Sequence, residues 1–204
     1  MKRNDFDCKE RALSNPPESY VVLDIETTGF SPETDAVIEI AAVKVTVCER
    51  VDEFVMLVNP GRHVSSRITK FTGITDADVE GASPISEVLP LFLEFLGDYP
   101  IVGHNVCFDI RFLSRTAERL ELPPLSNNRY DTFVSFRRAY PGLPSYKLCC
   151  LAERLSLSTP SHRAMADVDT TIDLLEFLRS GAEQLPALAE VDPLAVFFTC
   201  SGDE

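Results

Sequence analysis

The stretch Tyr20-Val21-Val22-Leu23-Asp24-Ile25-Glu26 constrains this chain more than any other. Its β-branched, mostly apolar start, closed by Thr27-Thr28-Gly29, predicts a strand that ends in a turn. Residues two apart on a strand share a face, so Asp24 and Glu26 look into one place while Ile25 faces the other side. Two like charges held together are costly without a cation. An exposed strand end whose acids simply meet water would give the same tripeptide, so the pair alone does not define a site.

The segments after Gly29 predict the sheet that this strand joins. Ala36–Val47 and Val51–Val58 are Val/Ile-rich runs separated by a short polar link, as in an antiparallel extension of one sheet. Helices are expected around Ser65–Lys70 and over Ile85–Leu96, then a strand at Pro100–Gly103 that leads through His104-Asn105 into a helix. In that helix positions 106, 110, 113, 117 and 120 keep the helical period, with Asn105 placed to cap its first turn. Arg129–Asp131 reads as a short strand end, and Thr132–Ala139, Ser145–Leu155 and Ala164–Leu178 as helices. A strand meander followed by alternating strands and helices predicts an α/β fold with a mixed central β-sheet flanked by helices.

Composition sets the outer limits. The 204 residues, 45% of them hydrophobic, suffice for one domain with a sizeable core. We expect that domain at residues 20–180, between a flexible N-terminal arm at 1–19 and an acidic C-terminal tail at 181–204. No run approaches the ~20 apolar residues of a membrane span. Met1–Ala12 is too polar for the apolar part of a secretory signal, so the expected location is cytoplasmic. The six cysteines show no zinc spacing and read as small buried hydrophobes in a reducing compartment. A net charge of −13 argues against a broad basic platform for nucleic acid.

Two further stretches carry chemistry. Asp109, in His104-Asn105-Val106-Cys107-Phe108-Asp109, falls at the edge of the apolar helical stripe, one turn beyond a strand end, where α/β sheets tend to place ligands. It would equally serve as a surface acid favoured by the helix dipole. In Ser161-His162-Arg163-Ala164-Met165-Ala166-Asp167, five positions on one helix would set His162 and Asp167 about 140° apart. For both to serve one site, His162 must lie on the loop and Asp167 on the helix, a break that Pro160 and Ser161 suit. Singly, each residue also fits an ordinary surface. Asp169 and Asp173 fit a solvent face.

Together these stretches resemble the three motifs of the DEDDh family of 3′→5′ exonucleases, which contains the proofreading subunit of bacterial replicative DNA polymerases and ribonuclease T. The matching residues are Asp24-Ile25-Glu26-Thr27-Thr28-Gly29, His104-Asn105 through Phe108-Asp109 with Phe112-Leu113, and His162 with Asp167. Thr72-Gly73-Ile74-Thr75, Tyr130-Asp131-Thr132 and Pro141-Gly142 extend the likeness over roughly residues 20 to 178. The resemblance implies a ribonuclease H-like fold and two divalent cations, Mg²⁺ or Mn²⁺, held by Asp24, Glu26, Asp109 and Asp167. It also implies His162 as the general base, a role that its ordinary pKa of ~6.5 suits.

The implied substrate is nucleic acid with a single-stranded 3′ end, and a DNA polymerase is a candidate partner. Thr27 and Thr28 are candidates to bind the terminal 3′-hydroxyl, and His104 to touch substrate, although turn and junction roles suit all three. Lys147 closes the acid-free stretch Arg137–Lys147, whose three basic residues and two tyrosines suit phosphate contacts and base stacking. Asp131-Thr132 looks more like a helix cap than a ligand. An exoribonuclease or oligoribonuclease would carry the same motifs. An inactive nucleic-acid-binding or polymerase accessory module would need damaged acids, and these are intact.

Overall fold

A strand must place its backbone hydrogen bonds somewhere, and β1 (Ser19–Thr27) places them on both edges in the computed structural model, which describes residues 11–157 and 162–181. One edge pairs antiparallel with β2 (Val37–Thr46), with Ser19 opposite Thr46 and Glu26 opposite Glu39. The other pairs parallel with β4 (Ile101–Gly103) through Val21/Ile101 and Val22/Val102. β3 (Glu49–Leu57) extends the sheet antiparallel beyond β2, and β5 (Arg129–Asp131) extends it parallel beyond β4, giving the order β3-β2-β1-β4-β5. The expected mixed sheet flanked by helices is present.

β1 is buried on both faces, and this decides where its acids point. Val21, Leu23 and Ile25 join one core cluster with Phe92 of α3 (Ile85–Leu96) and Ile110, Phe112 and Leu113 of α4 (Cys107–Arg119). Tyr20 and Val22 join another with Ala164, Val168 and Leu175 of α7 (Ala164–Arg179). By alternation Asp24 and Glu26 continue the second face, toward α7. Short helices α1 (Ser66–Thr72) and α2 (Asp76–Glu80) precede α3, and α5 (Thr132–Ala139) and α6 (Leu148–Arg154) precede α7. No helix among the described residues is long and apolar enough to cross a membrane.

Several local expectations need correction. The turn between β2 and β3 is Val47-Cys48, with φ of 51° and 64°, one residue earlier than the expected link at 48–50, whose Glu49 and Arg50 already belong to β3. Both turn residues take the left-handed conformation of a two-residue hairpin, a cost of roughly 1–2 kcal/mol each that pairing of Thr46 with Glu49 must offset. Cys48 is therefore exposed, not buried. Cys48, Cys149 and Cys150 form no disulfide, as expected, whereas Cys107, half-buried at the start of α4, is disulfide-bonded. Helix α2 is too short for periodicity to reveal, and a reciprocal cap between Thr75 and Asp78 sets it. Within the stretch expected as an arm, the Leu13 amide donates to the Arg129 carbonyl (2.7 Å) and the Arg129 amide to that of Arg11 (2.9 Å). The rest of that arm, residues 1–10, and the tail beyond residue 181 lie outside the described residues.

The β4-to-α4 junction shapes one wall of the site. A Cβ on Gly103 would lie 2.7 Å from Val106 Cγ2 and 3.1 Å from the Leu23 carbonyl oxygen, so only glycine lets the chain fold back this closely on β1. Asn105 does not cap α4 with its side chain; Val106 takes the cap position, and Asn105 turns left-handed with φ of 63°. Its amide donates to Asp131 Oδ1 at 3.0 Å. The same oxygen accepts from Phe133 and Val134 at 3.0 and 3.4 Å, so Asp131 is the α5 cap that the sequence suggested. Asp131→Ala should cost about 1–2 kcal/mol from the lost cap and the orphaned amides. It should appear as a lower urea midpoint at unchanged m, and an unchanged midpoint would mean that the clasp adds nothing to stability.

Candidate active site

At the end of β1, chain geometry has concentrated negative charge. Asp24 and Glu26 of β1 meet Asp167 of α7, with one carboxylate oxygen from each lying within 4.8 Å of the others. Glu26 and Asp167 are each 8% exposed, and Asp24 is partly buried. Asp109, 5% exposed on α4, stands on the other side of β1 and accepts the Ile25 amide proton on Oδ1 at 3.1 Å. The structure thus brings three of the four predicted acids into one cluster and ties the fourth to the strand between them.

Burial and mutual repulsion make this arrangement expensive for ionised groups. Asp24 is held well above the usual carboxylate range, first by burial and then by Asp109, Asp167 and Glu26. Burial, followed by Asp167 and Glu39, pushes Glu26 up to about 9. Burial also pushes Asp109 up to about 8, against backbone donors that include the Ile25 amide. Such a cluster must bind protons or cations. Converging, partly desolvated carboxylate oxygens are the donor set that hard divalent ions take, so the residues present fit Mg²⁺ or Mn²⁺.

His162 lies outside α7, as the spacing required, two residues before the helix begins. Its backbone is left-handed (φ 53°), and its ring stacks on Phe71 of α1, with centroids 4.0 Å apart and planes at 28°. The Thr27 hydroxyl donates to the Gly29 carbonyl at 2.6 Å, and the Thr28 hydroxyl accepts the Ala36 amide at 3.0 Å, so both threonines brace the turn after β1. His104, a candidate substrate contact by sequence, is placed as an internal tie. Its Nε2 lies 2.8 Å from the Tyr146 carbonyl, to which it donates, and its Nδ1 lies 2.9 Å from the Thr132 hydroxyl. Burial pushes its pKa down to about 4, so the ring is neutral at physiological pH.

Lys147 is exposed at the start of α6, as are Arg137 and Arg138 at the end of α5. The tyrosines between them are engaged elsewhere. Tyr140 packs on Phe136 and Phe177, and the Tyr146 hydroxyl donates to the Tyr140 carbonyl at 2.8 Å. Sequence reasoning passed over Phe71, Glu39 and Arg163. A lone acid inside the apolar run Val37-Ile38-Glu39-Ile40-Ala41 was the available signal for the second.

The sequence profile of a family described as exonuclease matches residues 21–175. The chain belongs to the exonuclease family. It is 40% identical over 157 residues to the DNA polymerase III epsilon subunit of Aquifex aeolicus, covering 76% of this chain and 78% of that one. It is 41% identical over 161 residues to the PolC-type DNA polymerase III of Clostridium perfringens, covering 78% of this chain and 11% of the relative. The chain thus spans only about a tenth of the PolC-type relatives it matches. Among solved structures, E. coli ExoI bound to single-stranded DNA aligns with a TM-score of 0.74 at 21% identity, over 83% of this chain and 42% of that one. Exonuclease X with 5′-overhanging duplex DNA aligns at 0.65 and 26% identity, over 83% and 96%. These matches bear out the ribonuclease H-like fold.

The raised acids give the metal-free protein a pH signature. Between the ordinary carboxylate range and about pH 9 the folded state holds protons that the unfolded chain has released, so stability falls as pH rises through that window. A divalent cation replaces those protons. Mg²⁺ should therefore raise the melting temperature over that in EDTA by more near pH 8.5 than near pH 5.5. An increment of equal size at both would contradict cation binding at this cluster.

Proposed function

We propose that the protein is a divalent-metal-dependent 3′→5′ exonuclease that removes nucleotides from single-stranded DNA ends. The observation that carries this reading is the convergence of Asp24, Glu26 and Asp167, with Asp109 beside them, in a chain of the exonuclease family. Asp24, Glu26, Asp109 and Asp167 would hold two Mg²⁺ or Mn²⁺ ions, which supply Lewis-acid stabilisation of charge building on the phosphate oxygens. His162, on its loop at the edge of α7, takes a proton from the attacking water. Water oxygen joins phosphorus as the bond to the 3′ oxygen breaks, leaving a nucleoside 5′-monophosphate and a strand with a new 3′-hydroxyl. Thr27 and Thr28 keep the turn beside β1 rigid where the terminal 3′-hydroxyl of the nucleotide being removed would bind, and Arg137, Arg138 and Lys147 offer cations to the strand behind it.

The relatives support DNA over RNA, since the ExoI and exonuclease X structures matched above hold DNA and the sequence relatives above are named polymerase III proteins. Those names also support a replicative polymerase as partner. The test is incubation with 5′-labelled and 3′-labelled DNA and RNA oligomers in Mg²⁺, Mn²⁺ or EDTA. Metal-dependent release of mononucleotides from the DNA 3′ end is expected, and release from RNA alone would overturn the substrate assignment. Asp24→Asn and Asp167→Asn should abolish release, while His162→Ala should slow it roughly 10²–10⁴-fold. A His162→Ala enzyme with unchanged rate and pH profile would remove His162 as the base.

A further inference from the structure

One acid beside the cluster is bound up in something else. Glu39 stands opposite Glu26 in the β1/β2 register, so both side chains leave the sheet on the same face, and Glu39 is 1% exposed. Both of its oxygens are committed to the entry of α7. Oε1 accepts from Arg163 Nη2 at 2.7 Å, and Oε2 accepts from Arg163 Nε at 3.2 Å and from the Ala164 amide at 3.0 Å. The first amides of a helix have no partner within it, and Ala164 is fully buried, away from water. Arg163, extended at the cap position (φ −116°, ψ 124°), makes no side-chain cap of its own. Glu39 therefore caps α7 from a neighbouring strand, while the planar guanidinium fork fixes the direction in which residue 163 enters the helix.

We propose that Glu39 and Arg163 are a positioning pair, which sets His162, one residue before the clamp, and Asp167, one turn after it, against Asp24 and Glu26. The inference deepens the exonuclease reading and rests on it. Two considerations favour positioning over simple stabilisation. A buried carboxylate paired with an arginine whose side chain is half exposed returns little net stability once desolvation is counted. The contacts also fall on Arg163, the one residue between His162 and the helix, and on Ala164, the first residue of the helix, where a small displacement is costly to catalysis. The fork has a second effect, because it occupies both Glu39 oxygens and keeps this fifth carboxylate from joining the cluster.

The test compares Glu39→Gln, Arg163→Met, Arg163→Lys and the Glu39→Gln/Arg163→Met double variant. Readouts are kcat and KM on a single-stranded DNA oligomer, calorimetric Mn²⁺ binding without substrate, and thermal unfolding. Arg163 is half exposed, so its variants remain folded even if Glu39→Gln does not. We expect Arg163→Met and Glu39→Gln each to lower kcat, and to weaken Mn²⁺ binding, by about 10–100-fold with KM little changed. Arg163→Lys should recover part of the loss, and the double variant should be no worse than either single change. Variants that melt earlier yet keep kcat and Mn²⁺ affinity, or single losses that multiply in the double, would overturn the pair. If the wild-type protein released no nucleotide, the exonuclease reading would fail, and the Mn²⁺ arm alone would still decide whether the pair positions Asp167.

Discussion

Three carboxylates within 4.8 Å of one another, two of them nearly buried, cannot all be ionised without positive charge among them. The rest of the structure is arranged to hold that unfavourable cluster in place. β1 is anchored on both edges and packed on both faces, so the end of the strand cannot move away to relieve the repulsion. α7 brings Asp167 from one side on a helix whose Val168, Leu174 and Leu175 are buried. α4 brings Asp109 from the other, held to the strand by the Ile25 amide. Hydrophobic burial on either side of the sheet thus offsets an electrostatic cost concentrated at one point, as expected of a site that spends stability on function.

Much of this was legible in the sequence, because it depended on local periodicity. Alternation placed Asp24 and Glu26 on one face and Ile25 on the other, and the structure agrees. The 140° argument placed His162 off the helix that carries Asp167, and α7 begins two residues after it. Helices α3 and α5 and strand β5 have the expected bounds, each marked by a clear apolar period or a capping acid. The misses share a different cause. Glu39 reaches Arg163 only because β2 pairs with β1 in one register and α7 packs on that face, information that no local window contains. For His104 the junction role that the sequence allowed is present, but its partners, residues 132 and 146, lie too far along the chain for local pattern to name. Val47 and Cys48 adopt a conformation that their side chains disfavour, so the hairpin is set by the paired strands and not by turn chemistry.

The net charge of −13 takes on a clearer meaning beside this geometry. Four of the acids gather around the end of β1, where divalent ions would offset them. The exposed basic residues Arg137, Arg138 and Lys147 lie after β5, on the half of the chain that comes after the sheet meander. Tyr140 and Tyr146 beside them are half-buried and tied to the fold, Tyr140 by its ring against Phe136 and Tyr146 by its hydroxyl. A strand held this way would be gripped over few nucleotides, with affinity concentrated at its end and little contributed by long-range attraction.

Two acids face each other across β1 and β2, and the fold treats them oppositely. Glu39 is neutralised inside the protein by a two-pronged arginine and a helix amide, at fixed geometry and with no exchangeable partner. Glu26, its cross-strand neighbour, is forked by no arginine among the described residues and clusters with Asp24 and Asp167, its pKa driven up to about 9 by burial first and then by neighbouring acids. The difference lies in the groups that each carboxylate meets in space. Glu39 meets the entry of α7, where amides and Arg163 are available. Glu26 meets the end of β1, where carboxylates converge and Arg163, committed to Glu39, acts on it only through its charge. A permanently neutralised acid can act as a fixed point, whereas one that lacks an internal partner can take a cation from solution. Placing the two side by side couples the fixed point to the exchangeable site through a single helix, so the same segment that carries Asp167 into the cluster is the one that Glu39 holds still.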